Sequence, residues 1–231
     1  MPDDASLPDR LTRAVEGGPP GFPLAGRVCV AARDLLGAEG ASVTIDNPTL
    51  RRVTLWATDE RAGELENLQD VLGEGPCRDA FGSRLPVFTR VDRWAASRWP
   101  NFIPAAERIV GPHGHLWSLP MHARLEVIGT LSMYRACEGS LAQPIDTFQA
   151  VADTAGALLL SLPPAEWEIT HERRWPQRAV VHRAVGQLAA LFGLSPSDAM
   201  ALLRSQAFIT DAQLADVARE VINGTLDLSG H

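Results

Sequence analysis

Gly73-Glu74-Gly75-Pro76-Cys77 places a thiol in the first turn of an expected helix. There the positive end of the helix dipole can lower a thiol pKa and favour the nucleophilic thiolate. Arg78, next in the chain, adds to that field. The chemistry on offer is redox or electrophile sensing. The competing reading is a small residue packed under a glycine turn, and a buried free cysteine commonly does no more than pack. The glycines carry neither Walker spacing nor a strand-linked G-x-G-x-x-G context, so a phosphate cradle is not expected. His113, His115 and His122 form a second cluster, with Trp117 and Met121 between them. Strand alternation puts His115 and Trp117 on one face, and Met121 with them if the strand runs on unbroken. A third or fourth ligand at useful spacing is missing locally, so no metal site is expected. There is no G-x-S-x-G elbow, no H-E-x-x-H and no carboxylate pair with a partner base, so an enzyme is not expected.

The elements that position these residues are read from punctuation and periodicity. Residues 1–23 hold Pro8, Gly17-Gly18-Pro19-Pro20 and Pro23 and read as a loose tail with one helical turn around Leu11. A helix from Ala25 to Leu36 stops at Gly37. Ala41–Ile45 and Val53–Thr58 alternate as strands about the turn cluster Asp46-Asn47-Pro48. Glu60–Gln69 is helix-prone, Ser118–Met121 and Val127–Tyr134 read as the last two strands, and a long apolar helix from Ile145 stops before Pro163-Pro164. That double proline and Pro176 predict a broken connection, because each removes a donor and clashes with the preceding turn. The expected organisation is a tail over 1–23, a larger α/β domain over 24–162, and a linker with a helical module over 163–231.

The helical module is the best-punctuated part. Its first helix is expected to run from just after Pro176 to Phe192, ended by Gly193. Val181, Val185, Leu188 and Phe192 fall on a short heptad seam. Ser195-Pro196-Ser197-Asp198 offers a cap, a first-turn proline and an early acid for the second helix. Thr210 and Gln213 form a capping-box pair for the third, whose stripe is Leu214, Val217, Ala218, Val221 and Ile222, ended by Asn223-Gly224. Three helices of this length bury little alone, since chains below roughly 70 residues rarely build a sufficient core. The seam is therefore expected to pack on a second copy, on the upstream domain, or simply inside the module.

Length and composition agree. The chain has 231 residues, 45% hydrophobic and 21% charged, with a formal charge of −7, an ordinary globular balance for one domain and a smaller second one. All basic side chains are arginine, as there is no lysine. No stretch approaches the roughly 20 apolar residues of a membrane span, and the acidic N-terminus is no signal peptide. Cys29, Cys77 and Cys137 are scattered without C-x-x-C spacing, which suits reduced thiols and a cytoplasmic location.

On these residues the segment from His182 to Leu228 resembles an ANTAR domain. The resemblance is carried by Ala184 and Gly186 early, Ala201-Leu202-Leu203-Arg204 in the middle, and Leu214-Ala215-Asp216-Val217-Ala218 late. That family is a three-helix RNA-binding output module of bacterial transcription antitermination regulators. Val28 to Leu160 resembles a GAF domain of the kind paired with ANTAR modules in actinobacterial regulators. Gly73 to Cys77, Arg98-Trp99-Pro100, the strand Val127–Tyr134 and the helix from Ile145 carry that likeness. The implied fold is α+β: a GAF-like antiparallel sheet flanked by helices, followed by a small three-helix ANTAR module.

The resemblance implies a sensor upstream and an RNA-binding output downstream. It places a ligand pocket at Cys77, Trp99, Phe102, His115 and Trp117, RNA contacts at Arg178, Arg183 and Arg204, and a homodimer on the heptad seam. A small-molecule ligand and RNA hairpins are the implied partners; the cofactor is unknown. Trp94, Trp99 and Phe102 lie in a variable loop and read more readily as anchors into the core than as ligand stackers. Arg174, Arg178 and His182 would share a face of an early-starting helix. Residues 171–231 hold six arginines and six acids, whereas nucleic-acid modules normally show a basic footprint. Where many ANTAR domains carry a lysine before the early glycine and bases at the last helix, this chain has Val185 and Ala212-Gln213. The alternative is therefore a signalling adaptor whose module serves dimerisation or protein binding.

Overall fold

A computed structural model describes residues 5–19, 21–47, 51–123, 126–136, 144–161, 176–210, 212 and 214–225. The chain divides into two compact units, Met1–Thr170 and His171–His231.

The first unit begins with helix α1 (Leu7–Glu16), where a loose tail is expected from sequence. Ser6 accepts the N–H of Asp9 at 3.3 Å and Pro8 sits in the first turn, both start signals. Leu11 and Val15, four apart on one face, are buried in the main core. Helix α2 (Leu24–Leu36) ends at Gly37 in the left-handed region, φ 71°, where glycine costs no Cβ clash. Strands β1 (Gly40–Asn47) and β2 (Arg51–Ala57) follow, then helices α3 (Glu60–Leu72) and α4 (Pro76–Ser83). Strand β3 (Val87–Arg90), short helix α5 (Arg93–Arg98) and helix α6 (Phe102–Val110) occupy the stretch read as a variable loop. Strands β4 (His115–Ala123) and β5 (Glu126–Arg135) and helix α7 (Ile145–Leu159) complete the unit.

The five strands form one antiparallel sheet in the order β2-β1-β5-β4-β3. Alternation sends Ala41, Val43, Ile45, Trp117, Leu119, Met121 and Leu131 into a core shared with α1, α2 and α7. Residues of the other parity, Ser42, Thr44, Thr54, Ser118, Thr130 and Ser132, are hydroxyl-bearing and equally buried, under α3, α4 and their neighbours. Pro120 is tolerated inside β4 because the β3 ladder ends at the Val87–Ser118 pair, so at its level no β3 partner asks for an N–H. Gly129 of β5 is a close approach: a Cβ there would stand 2.2 Å from the Thr44 carbonyl oxygen and 2.7 Å from the Ile45 Cα.

The second unit has helices α8 (Pro176–Phe192), α9 (Pro196–Ile209) and α10 (Leu214–Asn223). Gly193 at φ 65° and Gly224 at φ 68° end α8 and α10 as the stop signals require. Ser195 accepts the Asp198 N–H at 3.2 Å, the cap read from sequence. The Thr210 hydroxyl donates back to the Gln206 carbonyl at 2.8 Å; the capping box expected between Thr210 and Gln213 falls on Gln213, which lies outside the described residues.

The seam also differs from a dimer seam. Val181, Val185 and Leu188 are buried together with Ala199, Leu203, Leu214, Val217 and Val221, and Gln187 Nε2 donates to the Val221 carbonyl at 3.2 Å. Its fourth member, Phe192, is 53% exposed. The apolar spacing thus serves the module's own core, because α8 has α9 and α10 to cover it. Helix α7 ends at Leu159; the expected break at Pro163-Pro164 lies outside the described residues.

Candidate functional site

Beneath α3 and α4, the hydroxyl face of the sheet meets a buried ionic cluster. Glu66 of α3 is 1% exposed; its Oε1 accepts from Ser42 Oγ at 3.0 Å, and its Oε2 from Thr44 Oγ1 at 3.1 Å and Arg52 at 2.7 Å. Arg52, on β2, also donates to Asp70 Oδ1 at 3.0 Å and to the Cys77 sulfur at 2.5 Å. Cys77 Sγ lies 2.6 Å from Thr130 Oγ1, and the Thr44 and Thr54 hydroxyls are hydrogen-bonded to each other at 2.8 Å. One guanidinium therefore holds two carboxylates and a thiol in a water-poor interior. Burial works to lower the Arg52 pKa, and Cys77, Asp70 and Glu66 outweigh it, holding it above its ordinary value. Burial pushes the Cys77 thiol from 9.0 up to about 12; Glu66 adds to this, while Arg52 and the hydroxyls oppose it.

The helix-terminus argument for a reactive thiolate is thereby corrected. Cys77 is fully buried, and desolvation exceeds what the nearby positive charge supplies. Because the folded value stands above the unfolded one, this group's contribution to stability is whole below about pH 9 and is lost as pH rises toward about 12. In reductant, wild type is expected to lose about 2 kcal/mol more than Cys77→Ala between about pH 8 and about pH 10.5. Denaturant titrations at the two pH values measure it; equal losses in both proteins would show that the thiol is solvated.

The glycine turn ahead of Cys77 locks three helices together. Gly75 has φ 135°, and a Cβ there would lie 2.5 Å from Gln69 Cγ. The same Gln69 accepts the Cys77 N–H at 2.7 Å and so caps α4. Glu74 accepts the N–H groups of Asn101 and Phe102 at 2.6 and 2.7 Å, a carboxylate at the start of α6. Trp99 Nε1 donates to Asp79 of α4 at 3.2 Å, and Arg98 pairs with Asp79 at 2.6 Å. The two sequence-distant motifs, 73–77 and 98–100, thus interlock. Gly75→Ala is expected to cost roughly 1–3 kcal/mol, read as a lowered urea midpoint.

Between these helices and the sheet lies a cavity of about 20 Å³ lined by Ser42, Glu66, Gln69, Phe102, Ser118 and Ser132, among others, room for about one water. Of the sequence-expected pocket residues, Phe102 lines it and Cys77 belongs to the adjoining cluster. Trp99 is a buried anchor of its loop. Trp117 and His115 are corrections. Alternation does put their rings on one face, 6.5 Å apart, but it is the opposite face: Trp117 packs edge-on against Phe148 of α7 at 5.8 Å. Sequence reading missed Arg52, Glu66, Ser42, Thr44 and Glu74; the signal was the row of small hydroxyls in phase with one another along β1, β2, β4 and β5.

His122 is tied to Asp153 by its backbone N–H at 3.0 Å and its Nδ1 at 2.9 Å, and Gln149 closes the group. Among the described residues, no group of three or more His, Cys, Asp or Glu is placed to hold a metal ion, and no helix is long and apolar enough to cross a membrane.

In the second unit Arg183 is exposed on α8 and Arg204 half-buried on α9. Arg178 stands in the first turns of α8, and its side chain lies outside the described residues. Arg219, missed from sequence, is exposed on α10 and reaches Asp216 one turn back.

Residues 172–222 match the ANTAR domain. No curated protein matches the sequence at a significant level. Among solved structures, the chain is similar to the GAF domain of A. aeolicus nlh2, at 14% identity and TM-score 0.47, covering 67% of this chain and 94% of that one. It is likewise similar to the GAF domain of an Acinetobacter phosphoenolpyruvate-protein phosphotransferase, at 12% identity, TM-score 0.45, and 67% and 91% coverage. A third is the GAF-B domain of DevS from Mycobacterium smegmatis, at 19% identity, TM-score 0.39, and 65% and 94% coverage. The chain thus has two units, the upstream one α+β and built on a five-stranded antiparallel sheet. The ANTAR match falls within the three-helix C-terminal unit.

Proposed function

We propose that this chain is a cytoplasmic signal-responsive regulator of transcription antitermination, its ANTAR domain binding RNA hairpins under control of a small molecule read upstream. The observation that carries the reading is the ANTAR match over 172–222, which falls on a separately packed three-helix unit with the Ser195 cap and a buried core. Arg183, Arg204 and Arg178 are the RNA contacts in this reading, since guanidinium forks suit phosphate oxygens. The ligand is a small polar molecule taken beneath α3, α4 and α6, where Glu66, Gln69 and the serine hydroxyls supply donors and acceptors around a site of one-water size. Admission requires those helices to shift. A dimer of this module would rest on Leu191 and Phe192, which stay exposed.

A second reading, a signalling adaptor that binds protein, is favoured by the charge of the module: six arginines stand against six acids over 171–231, and Arg219 is paired within its own helix. Terminator readthrough in a purified transcription reaction separates the two. The regulator raises readthrough and Arg183→Ala abolishes most of the gain; unchanged readthrough across concentrations of the full chain would leave the adaptor.

A further inference from the structure

The cavity beneath α3, α4 and α6 is lined by a buried amide with one end unmatched. Gln69 is 2% exposed and lines the cavity. Its Oε1 accepts the Cys77 N–H at 2.7 Å. That bond fixes which end of the amide is which, because two donors do not face each other. The Nε2 end is left as a donor, and it has no hydrogen-bond partner among the described residues. A buried donor left unmade is costly, so the position calls for an acceptor. Ser118 and Ser132, whose hydroxyl oxygens lie 3.3 Å apart, line the same cavity and have lone pairs with which to accept. Leu65, Phe102 and Met133 supply apolar wall.

The charges nearby are already matched. Among the described residues that line the cavity, Glu66 alone is charged, and its oxygens take Ser42, Thr44 and Arg52. Arg52 in turn is shared between Glu66 and Asp70, at 2.7 and 3.0 Å. An anion here would face a carboxylate, and a cation would have to compete with Arg52 for it. Building on the reading that the upstream unit takes a small molecule at this site, we propose that the ligand is uncharged and binds by an amide-like edge. Its carbonyl oxygen accepts from Gln69 Nε2, and its N–H donates to the serine hydroxyls. A neutral amide that makes both bonds loses little on burial, whereas an ion loses its hydration and gains no counter-charge. At about 20 Å³ the cavity seats the carbonyl oxygen itself; the rest of the molecule takes its room from the helix shift that admission requires.

Acetamide, acetate and acetamidinium test this on the full chain, because they share a shape and differ in charge. Each is titrated into isotope-labelled protein while NMR follows the Gln69 side-chain amide, assigned by its loss in Gln69→Glu, which keeps the acceptor for the Cys77 N–H. Acetamide is expected to shift that signal saturably, and both ions to bind at least about tenfold more weakly. Ser118→Ala is expected to weaken acetamide roughly threefold to tenfold. Acetate or acetamidinium binding as tightly as acetamide at this signal overturns the proposal and leaves the small-molecule reading standing. So does acetamide binding that moves other signals and not that of Gln69, or that ignores Ser118→Ala. No saturable shift from any of the three compounds overturns both.

Discussion

Replacing Arg52 by methionine is expected to destabilise the upstream unit by roughly 3–5 kcal/mol. The substitution keeps most of the side-chain volume but removes the cation paired with Glu66 and Asp70, in a cluster where Glu66 is 1% exposed and Arg52 itself 13%. Glu66 is left with two hydroxyl donors, Ser42 and Thr44, and an uncompensated buried carboxylate costs far more than an exposed one. Urea unfolding followed by the buried Trp56, Trp99 and Trp117 measures the loss. The double variant Arg52→Met/Glu66→Leu should recover most of it, because removing both partners removes the unpaired charge. A single variant within about 0.5 kcal/mol of wild type would show that the cluster is not ionic.

Leu188→Ala is expected to cost roughly 2–5 kcal/mol, most of what a unit of this size holds. At about 0.05–0.15 kcal/mol per residue, some sixty residues carry only roughly 3–9 kcal/mol. Leu188 is 1% exposed on a helix packed against both α9 and α10, so deletion of its isobutyl group opens a cavity that three short helices cannot close. Leu191→Ala, at a position 67% exposed, should change stability by less than about 0.5 kcal/mol. Thermal unfolding followed by helical circular dichroism compares the two. A Leu188→Ala loss that varied with protein concentration would show that the seam is intermolecular after all.

Why some of this was legible in the sequence and some not is physical. Caps and stops are local, so Gly37, Ser195, Gly193 and Gly224 announce themselves, and the apolar stripes of α8 and α10 are complete within their own helices. Alternation reports which residues share a face but not what covers that face. His115 and Trp117 do lie together, yet on the α7 side, and the hydroxyls of the other side are buried under helices rather than left to water. A hydroxyl near a helix junction can serve either neighbour, and Thr210 donates to the Gln206 carbonyl of α9. The helix α1 was masked by prolines and glycines around a pair, Leu11 and Val15, too short to show a period. Glu74 could not be read at all, since its partners, the N–H groups of Asn101 and Phe102, lie more than twenty residues away in the chain.

The central claim is that this chain engages RNA through its ANTAR unit. Equilibrium binding of the full chain to a tandem-hairpin RNA, measured from low to physiological salt with wild type and Arg183→Ala, tests it most directly. The account predicts affinity that falls steeply with salt, and an Arg183→Ala line that is weaker and shallower by about 0.7–0.9 in log–log slope. Affinity absent at low salt, or present but indifferent to both salt and Arg183, would contradict it.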